Sequence, residues 1–199
     1  FMKDRKSHAG GEAPRNLMPM SEVLTRMVKN IDDRYYIGDQ WQYYCPENAN
    51  WMSYGWIGGL MNTYPMLALG DAEHLQKVKN TFDFALPRAK GKSGYYYDVL
   101  GADGKPFSRD AAANHPGVGL TRKNGDILYW MVKQFMLLKE QEKASAIDPE
   151  WETNVRLLAD AFVNTWKKHG TWGNYLDVES GDIAVYNTTS GAMAVGGLA

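Results

Sequence analysis

The sequence lacks the features that would assign it at once to a class of protein. Cys45 is the single cysteine of 199 residues, so no disulfide can form within the chain. No apolar run approaches the roughly 18–20 residues that a membrane span needs. Lys and Arg number 22 against 23 Asp and Glu. Neither charge sign is in excess, so composition does not indicate a nucleic-acid or anionic-membrane partner.

Several enzyme motifs are also absent from the sequence. No histidine pair has the spacing of a zinc site. There is no P-loop, no G-x-S-x-G and no glycine-rich dinucleotide motif. The stretch Asp177–Asp182 has oxygen-bearing side chains at alternate positions, as in a calcium loop, but lacks the later bidentate glutamate. We therefore expect no cofactor and no bound metal.

The two ends of the chain suggest a segment of a longer protein. Phe1–Leu17 is charged, contains glycine and has no periodicity, so it is predicted to be a flexible lead-in before one domain at 18–199. The chain opens on Phe1 and stops just inside a predicted helix, so the domain is expected to be incomplete at its C-terminus. No signal peptide is recognisable in this window.

What is present is helical periodicity over most of the chain. Apolar side chains recur at spacings of three and four, which is typical of amphipathic helices. The predicted helices are Met18–Asp33, Trp51–Leu69, Ala72–Pro87, Leu120–Gln141 and Pro149–Gly170. A last helix is only begun near Gly191.

Two aromatic stretches between these helices, Gly94–Phe107 and Gly173–Tyr186, are predicted to form small β-hairpins. Their similar beginnings place Asp98 and Asp177 at equivalent positions of a repeat. Each repeat has an apolar helix, a turn, an amphipathic helix and an aromatic loop. This pattern predicts stacked helical hairpins, in either an open solenoid or a closed ring. The aromatic loops would then share one face, where a ligand would bind.

This layout resembles the six-hairpin glycosidase superfamily, whose members are (α/α)6 toroids. The resemblance covers about half of such a ring. It rests on three presumed starts of inner helices and on three aromatic returns: Trp56–Leu60, Gly125–Trp130, Gly191–Leu198, Asp39–Trp51, Gly94–Phe107 and Gly173–Tyr186. It implies an all-α fold with small β-hairpin loops on one face, and a ring closed by the remainder of the same polypeptide.

The resemblance also implies a carbohydrate substrate and catalytic carboxylates at the mouth of the ring. Its members are mostly glycoside hydrolases, which use two carboxyl groups. Asp126, expected in the first turn of the middle inner helix, is the first candidate, although a first-turn carboxylate also complements the helix dipole. Asp39 or Glu47, in the most aromatic loop, would complete the acid/base pair, because apolar neighbours raise a carboxyl pKa.

Further residues are predicted to bind the sugar: Trp41, Tyr43, Trp51, Tyr96, Asp98, His115, Arg122 and Asp177. The aromatic rings would stack on the sugar, unless they fill the core beneath the loop. Arg122 would bind a uronate carboxylate or pair with a nearby Asp. His115 would reach the mouth from a polar loop. Asp98 and Asp177 are expected in supporting roles, bonding the backbone of the hairpins.

The predicted function is thus a glycoside hydrolase that acts on a polysaccharide or oligosaccharide. The alternatives are a polysaccharide lyase or sugar epimerase on the same fold, or a non-catalytic helical repeat that binds a glycan or a protein. The substrate class alone favours a periplasmic or secreted location, and a role in carbohydrate metabolism.

Overall fold

A computed structural model describes residues 18–45, 51–55, 59–107, 117–186 and 191–199. In these ranges six α-helices alternate with short strands. The helices are α1 Met20–Tyr35, α2 Gly59–Ala68, α3 Ala72–Ala85, α4 Thr121–Glu140, α5 Pro149–His169 and α6 Ala192–Leu198, with a 3-10 turn at Ala144–Ala146. None of the described helices combines the length and apolarity needed to cross a membrane. The predicted lead-in, Phe1–Leu17, lies outside the described residues.

The helix ends that were predicted most accurately are determined by capping residues within one turn of the helix. The Asp71 side chain accepts a hydrogen bond from the backbone N–H of His74 at 2.9 Å and begins α3. Asp148 caps α5 in the same way, and Pro149 occupies the first turn. Gly170 ends α5 in the left-handed conformation, with φ 67°. By contrast α1 begins at Met20 with no side-chain cap.

Three small antiparallel sheets show that the fold is not all-α, and this part of the prediction is wrong. The strands are β1 Tyr36–Ile37, β2 Tyr43–Tyr44, β3 Trp51–Ser53, β4 Val99–Gly101, β5 Pro106–Phe107, β6 Val118–Leu120, β7 Tyr175–Asp177 and β8 Ile183–Val185. The sheet orders are β1-β2, β3-β4-β5 and β6-β7-β8. The predicted hairpins are confirmed as β4–β5 and β7–β8. Trp51–Ser53, predicted as the start of a helix, is instead a strand that joins the first hairpin.

The pairing of these strands corrects the predicted repeat. Trp51 in β3 lies opposite Gly101, whereas Val118 in β6 lies opposite Asp177. Counted from the first residue of β3 and of β6, Gly101 pairs at the position that corresponds to Asp177. In this strand pairing the predicted equivalence of Asp98 and Asp177 does not hold. The repeat itself is present, with a shift of three residues between the two hairpins.

The helices form an inner and an outer layer. Inner helix α4 lies between α2 and α6 and packs on the outer helix α5, while α2 packs on α3. The fully buried amide of Gln134 on α4 donates to the carbonyl of Leu60 on α2 at 2.9 Å. Aromatic side chains fill the space between layers: Phe82 meets Trp151 edge to face, and Tyr95 meets Phe162 in the same way. Much of the aromatic content is thus core.

A buried amide fixes the loop before β4 onto the start of α4. Asn124 is fully buried, and its Oδ1 accepts from the backbone N–H of Tyr96 at 2.7 Å. Its Nδ2 donates to the carbonyls of Tyr96 at 3.0 Å and Leu120 at 3.2 Å. Beside it, Asp98 Oδ1 accepts from the backbone N–H of Leu120 at 2.7 Å. Backbone groups that would otherwise be buried without partners are thus satisfied by these two side chains.

We expect the substitution Asn124→Ala to lower the free energy of unfolding by about 3 kcal/mol, because it leaves buried backbone groups of Tyr96 without partners. Asn164→Ala on the exposed face of α5 is the control, with an expected change within about 0.5 kcal/mol. Urea unfolding measures both. Equal losses in the two variants would contradict the role given to Asn124.

A polar network ties α1 to α3 in the outer layer. Tyr44 OH donates to Asp32 Oδ1 at 2.8 Å, and Lys77 Nζ lies 3.0 Å from Asp32 Oδ2. His74 bridges Asp32 and Asp71, at 3.0 and 2.6 Å. Partial burial would raise the pKa of Asp32, but the hydrogen bonds from Tyr44, Lys77 and His74 outweigh it and hold this pKa below its ordinary value.

A lowered carboxyl pKa gives stability that is present above the unfolded-state pKa and is lost as the pH falls through the folded-state pKa. We therefore expect Asp32→Asn to lower the free energy of unfolding at pH 7 by about 1–2 kcal/mol. The difference from the wild type should shrink below about pH 4. Urea unfolding at pH 7 and pH 3 measures it. Asp33→Asn, which removes an exposed ion pair with Lys29, is the control. A loss at Asp32 that stays undiminished at pH 3 would contradict this account.

Candidate functional site

The hairpin loops lie at one end of the inner helices. Strand β6 runs directly into α4, and β3 precedes α2 by a short segment. The paired hairpins β4–β5 and β7–β8 therefore lie beside the N-terminal ends of α2 and α4. At the opposite end, three residues, 69–71, join α2 to α3, and residues 141–148 with one 3-10 turn join α4 to α5. In the described part of the chain the paired hairpins thus lie at the loop face.

Asp126 is buried in this region, but not where the sequence predicted it. Helix α4 begins at Thr121, so Asp126 lies in the second turn and not the first. The helix-dipole explanation of this carboxylate therefore fails, because that effect belongs to the first turn. A Cβ placed on Gly55 would lie 3.0 Å from Cβ of Asp126, so the loop after β3 packs directly over it.

Arg122 is the charged partner of Asp126 on the same face of α4. Arg122 Nε lies 3.8 Å from Asp126 Oδ2, at the i,i+4 spacing of a helix. The arginine side chain is 57% exposed, whereas the aspartate side chain is 3% exposed. Asp126 thus holds the Nε edge of the guanidinium from below, while the rest of Arg122 faces solvent. This confirms one of the two roles considered for Arg122, the pairing with a nearby aspartate.

A cleft of about 610 Å³ opens beside Arg122 on the loop face. Two tryptophans form its aromatic wall. Trp172 donates from Nε1 to the carbonyl of Phe162 at 2.7 Å. Trp166 is 51% exposed, with its ring centre 4.8 Å from that of Trp172. The remaining lining residues come from the start of the last inner helix: Gly191, Ala192, Met193 and Val195.

Neither tryptophan of this cleft was predicted as a site residue. Trp166 continues the apolar stripe of α5, which is typical of core residues, but it lies on the last turn and is 51% exposed. Trp172 follows the glycine that ends α5, and Gly191 packs on its ring so closely that a Cβ would lie 2.1 Å away. An aromatic residue between two glycines at the start of a return loop is the signal that could have found Trp172.

Asp39 and Trp41 lie in a different cleft, of about 410 Å³, on the outer helix α3. Their neighbours there include Asn80, Asp83 and Arg88. The guanidinium of Arg88 lies 4.4 Å from the ring centre of Trp41 and covers it. This cleft and the one at Arg122 share no lining residue. The structure therefore does not bring Asp39 and Asp126 into one site, and it does not support them as a catalytic pair.

Two predicted sugar platforms are core residues, so those predictions are wrong. Tyr43 is 2% exposed and stacks on Phe84, with ring centres 4.0 Å apart. Burial raises the pKa of Tyr43 to about 12. Tyr96 is fully buried, and its hydroxyl donates to the carbonyl of Leu86 at 3.1 Å. Burial also raises the pKa of Tyr96 far above its usual value. Neither ring presents a face to a ligand.

The supporting role predicted for two aspartates is confirmed. Asp98 is fully buried and accepts from the backbone of Leu120. Asp177 Oδ1 accepts from the backbone N–H groups of Glu179 at 2.9 Å and Ser180 at 2.7 Å, which shapes the β7–β8 turn. These bonds are structural, since both carboxylates accept from backbone N–H groups, Asp177 within its own turn and Asp98 from strand β6.

Of the three remaining predicted residues, the structure describes Trp51. Trp51 lies half-buried in β3, and its carbonyl accepts from the thiol of Cys45 at 2.8 Å. Glu47 and His115 lie outside the described residues. Among the residues that are described, no three His, Cys, Asp or Glu side chains form a cluster that could hold a metal ion.

Comparisons with known proteins support the fold. No protein-family model matches the chain, and no curated protein matches it. Among solved structures, a cellobiose 2-epimerase from Spirochaeta thermophila DSM 6192 is similar, with a TM-score of 0.50 and 12% sequence identity. The match covers 83% of this chain and 42% of the epimerase, so the chain spans less than half the length of that enzyme. At this identity the likeness is one of fold: an α/α toroid.

Alanine substitutions at two glycines with nearly the same φ test how closely the loop after β3 packs on α4. At Gly55, φ is 68° and a Cβ would lie 2.7 Å from Cα of Lys123; at Gly170, φ is 67° and nothing lies within 4 Å. We expect Gly170→Ala to lower the free energy of unfolding by about 1 kcal/mol, from backbone strain alone. Gly55→Ala should lower it by about 3 kcal/mol, because backbone atoms must also move. Urea unfolding measures both, and similar losses would show that the loop does not lie against α4.

Proposed function

We propose that this chain is part of a sugar-processing enzyme of the α/α toroid type, with its sugar site on the loop face. Two observations support the proposal. The fold is similar to that of a sugar epimerase, and a cleft with aromatic walls lies beside Arg122 and the buried Asp126 that it pairs with, at the start of a central inner helix. The second observation carries the proposal, because function is determined by the site and not by the fold.

We further propose that additional hairpins complete the ring. The chain spans 42% of the epimerase. Its first helix also leaves apolar side chains uncovered: Met20 is 79%, Leu24 53% and Met27 57% exposed. At the opposite edge Val195 is 55% exposed. Such apolar edges are expected where further helices pack. Because the proposed substrate is a carbohydrate, we propose a periplasmic or secreted location.

Epimerisation is the reaction that we favour. Hydrolysis needs two carboxyl groups about 5–10 Å apart across the glycosidic bond. Asp126 and Asp39 line no common cleft, so a hydrolase would need its second carboxylate from Glu47 or from elsewhere in the ring. Epimerisation at a carbon beside a carbonyl needs a group that removes a proton and a group that returns one to the opposite face. It does not need a carboxylate pair around a glycosidic bond.

Glycoside hydrolysis remains the second candidate, and the products separate the two. An epimerase incubated with cellobiose in D₂O exchanges the hydrogen of the inverted carbon for deuterium and releases no monosaccharide. A hydrolase releases monosaccharide and leaves the C–H bonds intact. Proton NMR of the reaction mixture measures both outcomes. A protein that binds the sugar and does neither is the non-catalytic module.

We propose Asp126 as the carboxylate on which turnover depends. It would act directly or by holding Arg122, and the substitution Asp126→Asn should lower kcat/KM by at least about 100-fold on any sugar that the wild type converts. Asp160→Asn, on the exposed face of α5, is the control and should change it less than about twofold. Asp126→Glu, which keeps the charge, should restore part of the activity. Full activity in Asp126→Asn would exclude this role.

A further inference from the structure

We infer that the cleft beside Arg122 takes an acidic sugar, one whose ring carries a carboxylate, and that Arg122 binds this carboxylate. The inference rests on the proposed function and names the substrate class of that site. It follows from the chemistry of the lining and from the way in which Asp126 orients the guanidinium.

Among the described residues that line the cleft, the side chains offer hydrogen-bond donors but no strong acceptor. Its lining residues are Arg122, Trp166, Trp172, Gly191, Ala192, Met193 and Val195. These side chains include no carboxylate, no amide and no hydroxyl. The guanidinium has five N–H donors and no acceptor, and the indole N–H is also a donor only. The Trp172 indole N–H is already bonded to Phe162. Arg122 is therefore the main polar group of the cleft.

A donor-only lining suits an anion better than a neutral sugar. Every sugar hydroxyl is both a donor and an acceptor, and the side chains of the described lining residues accept from none of its hydroxyl hydrogens, which then bond to backbone carbonyls or to water. A carboxylate only accepts hydrogen bonds. It matches the fork of a guanidinium in a planar, two-bond geometry. The described side chains of the lining therefore favour a carboxylate over a neutral sugar, because Arg122 donates and none of them is a strong acceptor.

The position of Asp126 leaves the correct edge of the guanidinium for a ligand. The contact to Asp126 is made through Nε, at 3.8 Å. Both terminal nitrogens therefore remain for a carboxylate in the cleft. The contact is too long for a hydrogen bond and Arg122 is 57% exposed, so Asp126 attracts the guanidinium without neutralising it.

The cleft also has the size and shape for a sugar ring. Its volume of about 610 Å³ lies within the roughly 300–1,000 Å³ of small-molecule sites. The exposed Trp166 ring provides a flat apolar surface for the C–H face of a sugar. Trp166 lies tilted by 48° on the more deeply buried Trp172, which supports it from behind.

The test compares two sugars that differ in one group, with the complete protein as the sample. Cellobiose and the disaccharide in which one of its glucose units is replaced by glucuronic acid are titrated by calorimetry. We expect the acidic disaccharide to bind at least about 10-fold more tightly at low salt. This preference should decrease as the salt concentration rises. Equal binding, or tighter binding of cellobiose, would overturn the inference.

Three variants locate the effect. Arg122→Gln should abolish the preference for the acidic disaccharide over cellobiose, whereas Arg122→Lys should retain only part of this preference, because lysine cannot bind in the two-bond geometry. Lys139→Gln, which removes an exposed charge from the last turn of α4, should keep the preference. Folding of each variant is checked by circular dichroism. A preference that survives in Arg122→Gln would place the carboxylate elsewhere and overturn the assignment.

Two more measurements are needed. One distinguishes a carboxylate ligand from a sulfate ligand, and the other distinguishes failure of the acidic-sugar inference from failure of the enzyme proposal. A disaccharide with a sulfate ester in place of the carboxylate should bind more weakly; if it binds more tightly, the ligand class is a sulfated sugar and our assignment is wrong. Turnover of cellobiose that does not depend on Arg122 would contradict the acidic substrate class and leave the enzyme proposal standing. Arg122-dependent binding of the acidic sugar without turnover would do the reverse.

Discussion

The bonding of one buried loop to the start of α4 is the interaction on which the rest of the site depends. Asn124 satisfies both backbone groups of Tyr96, and Asp98 satisfies the N–H of Leu120. These are buried polar groups, which are costly to leave without partners. The strand β6 and the first turn of α4 therefore take one position relative to the β4 hairpin. Arg122 and Asp126 are placed by this arrangement, since both project from the first two turns of α4.

The inner helix therefore has two different faces at its start. Asn124 joins it to the loop, and the opposite side carries Arg122 toward a solvent-filled cleft. Asp126 contacts both parts: the loop at Gly55 packs over it, and its Oδ2 lies 3.8 Å from Nε of Arg122. The buried loop keeps Asp126 in one position, and Asp126 in turn attracts the exposed guanidinium of Arg122. The exposed group is thus held by a neighbour that a substrate need not touch.

Sequence analysis predicted the features that depend on neighbouring residues. The ends of α3 and α5 follow from Asp71, Asp148 and Gly170, whose side chains or backbone angles act within one turn. The two hairpins were predicted because their strands pair within one short segment, whereas β3 was not, because it is three residues long and its partner Gly101 lies far along the chain. The three-residue shift of the repeat has the same origin.

The candidate site was predicted in part. Pairing with a nearby aspartate was one of two roles left open for Arg122, and the i,i+4 contact with Asp126 that produces it is local. The roles of the aromatic residues did not follow, because spacing does not tell which side of a loop is covered. Tyr43 and Tyr96 are therefore core residues, although they lie in loops, and Trp166 is exposed, although it continues a core stripe. The burial of an aromatic ring depends on the layer packed against it, and the sequence of its own segment does not contain that layer.

The most direct test of the account is an experimental structure of the complete protein with an acidic oligosaccharide bound. The account predicts a ring of inner and outer helices with the sugar ring over Trp166 and its carboxylate within hydrogen-bond distance of the terminal nitrogens of Arg122. A sugar bound instead in the cleft of Asp39 and Trp41, or helices that form no ring, would contradict it.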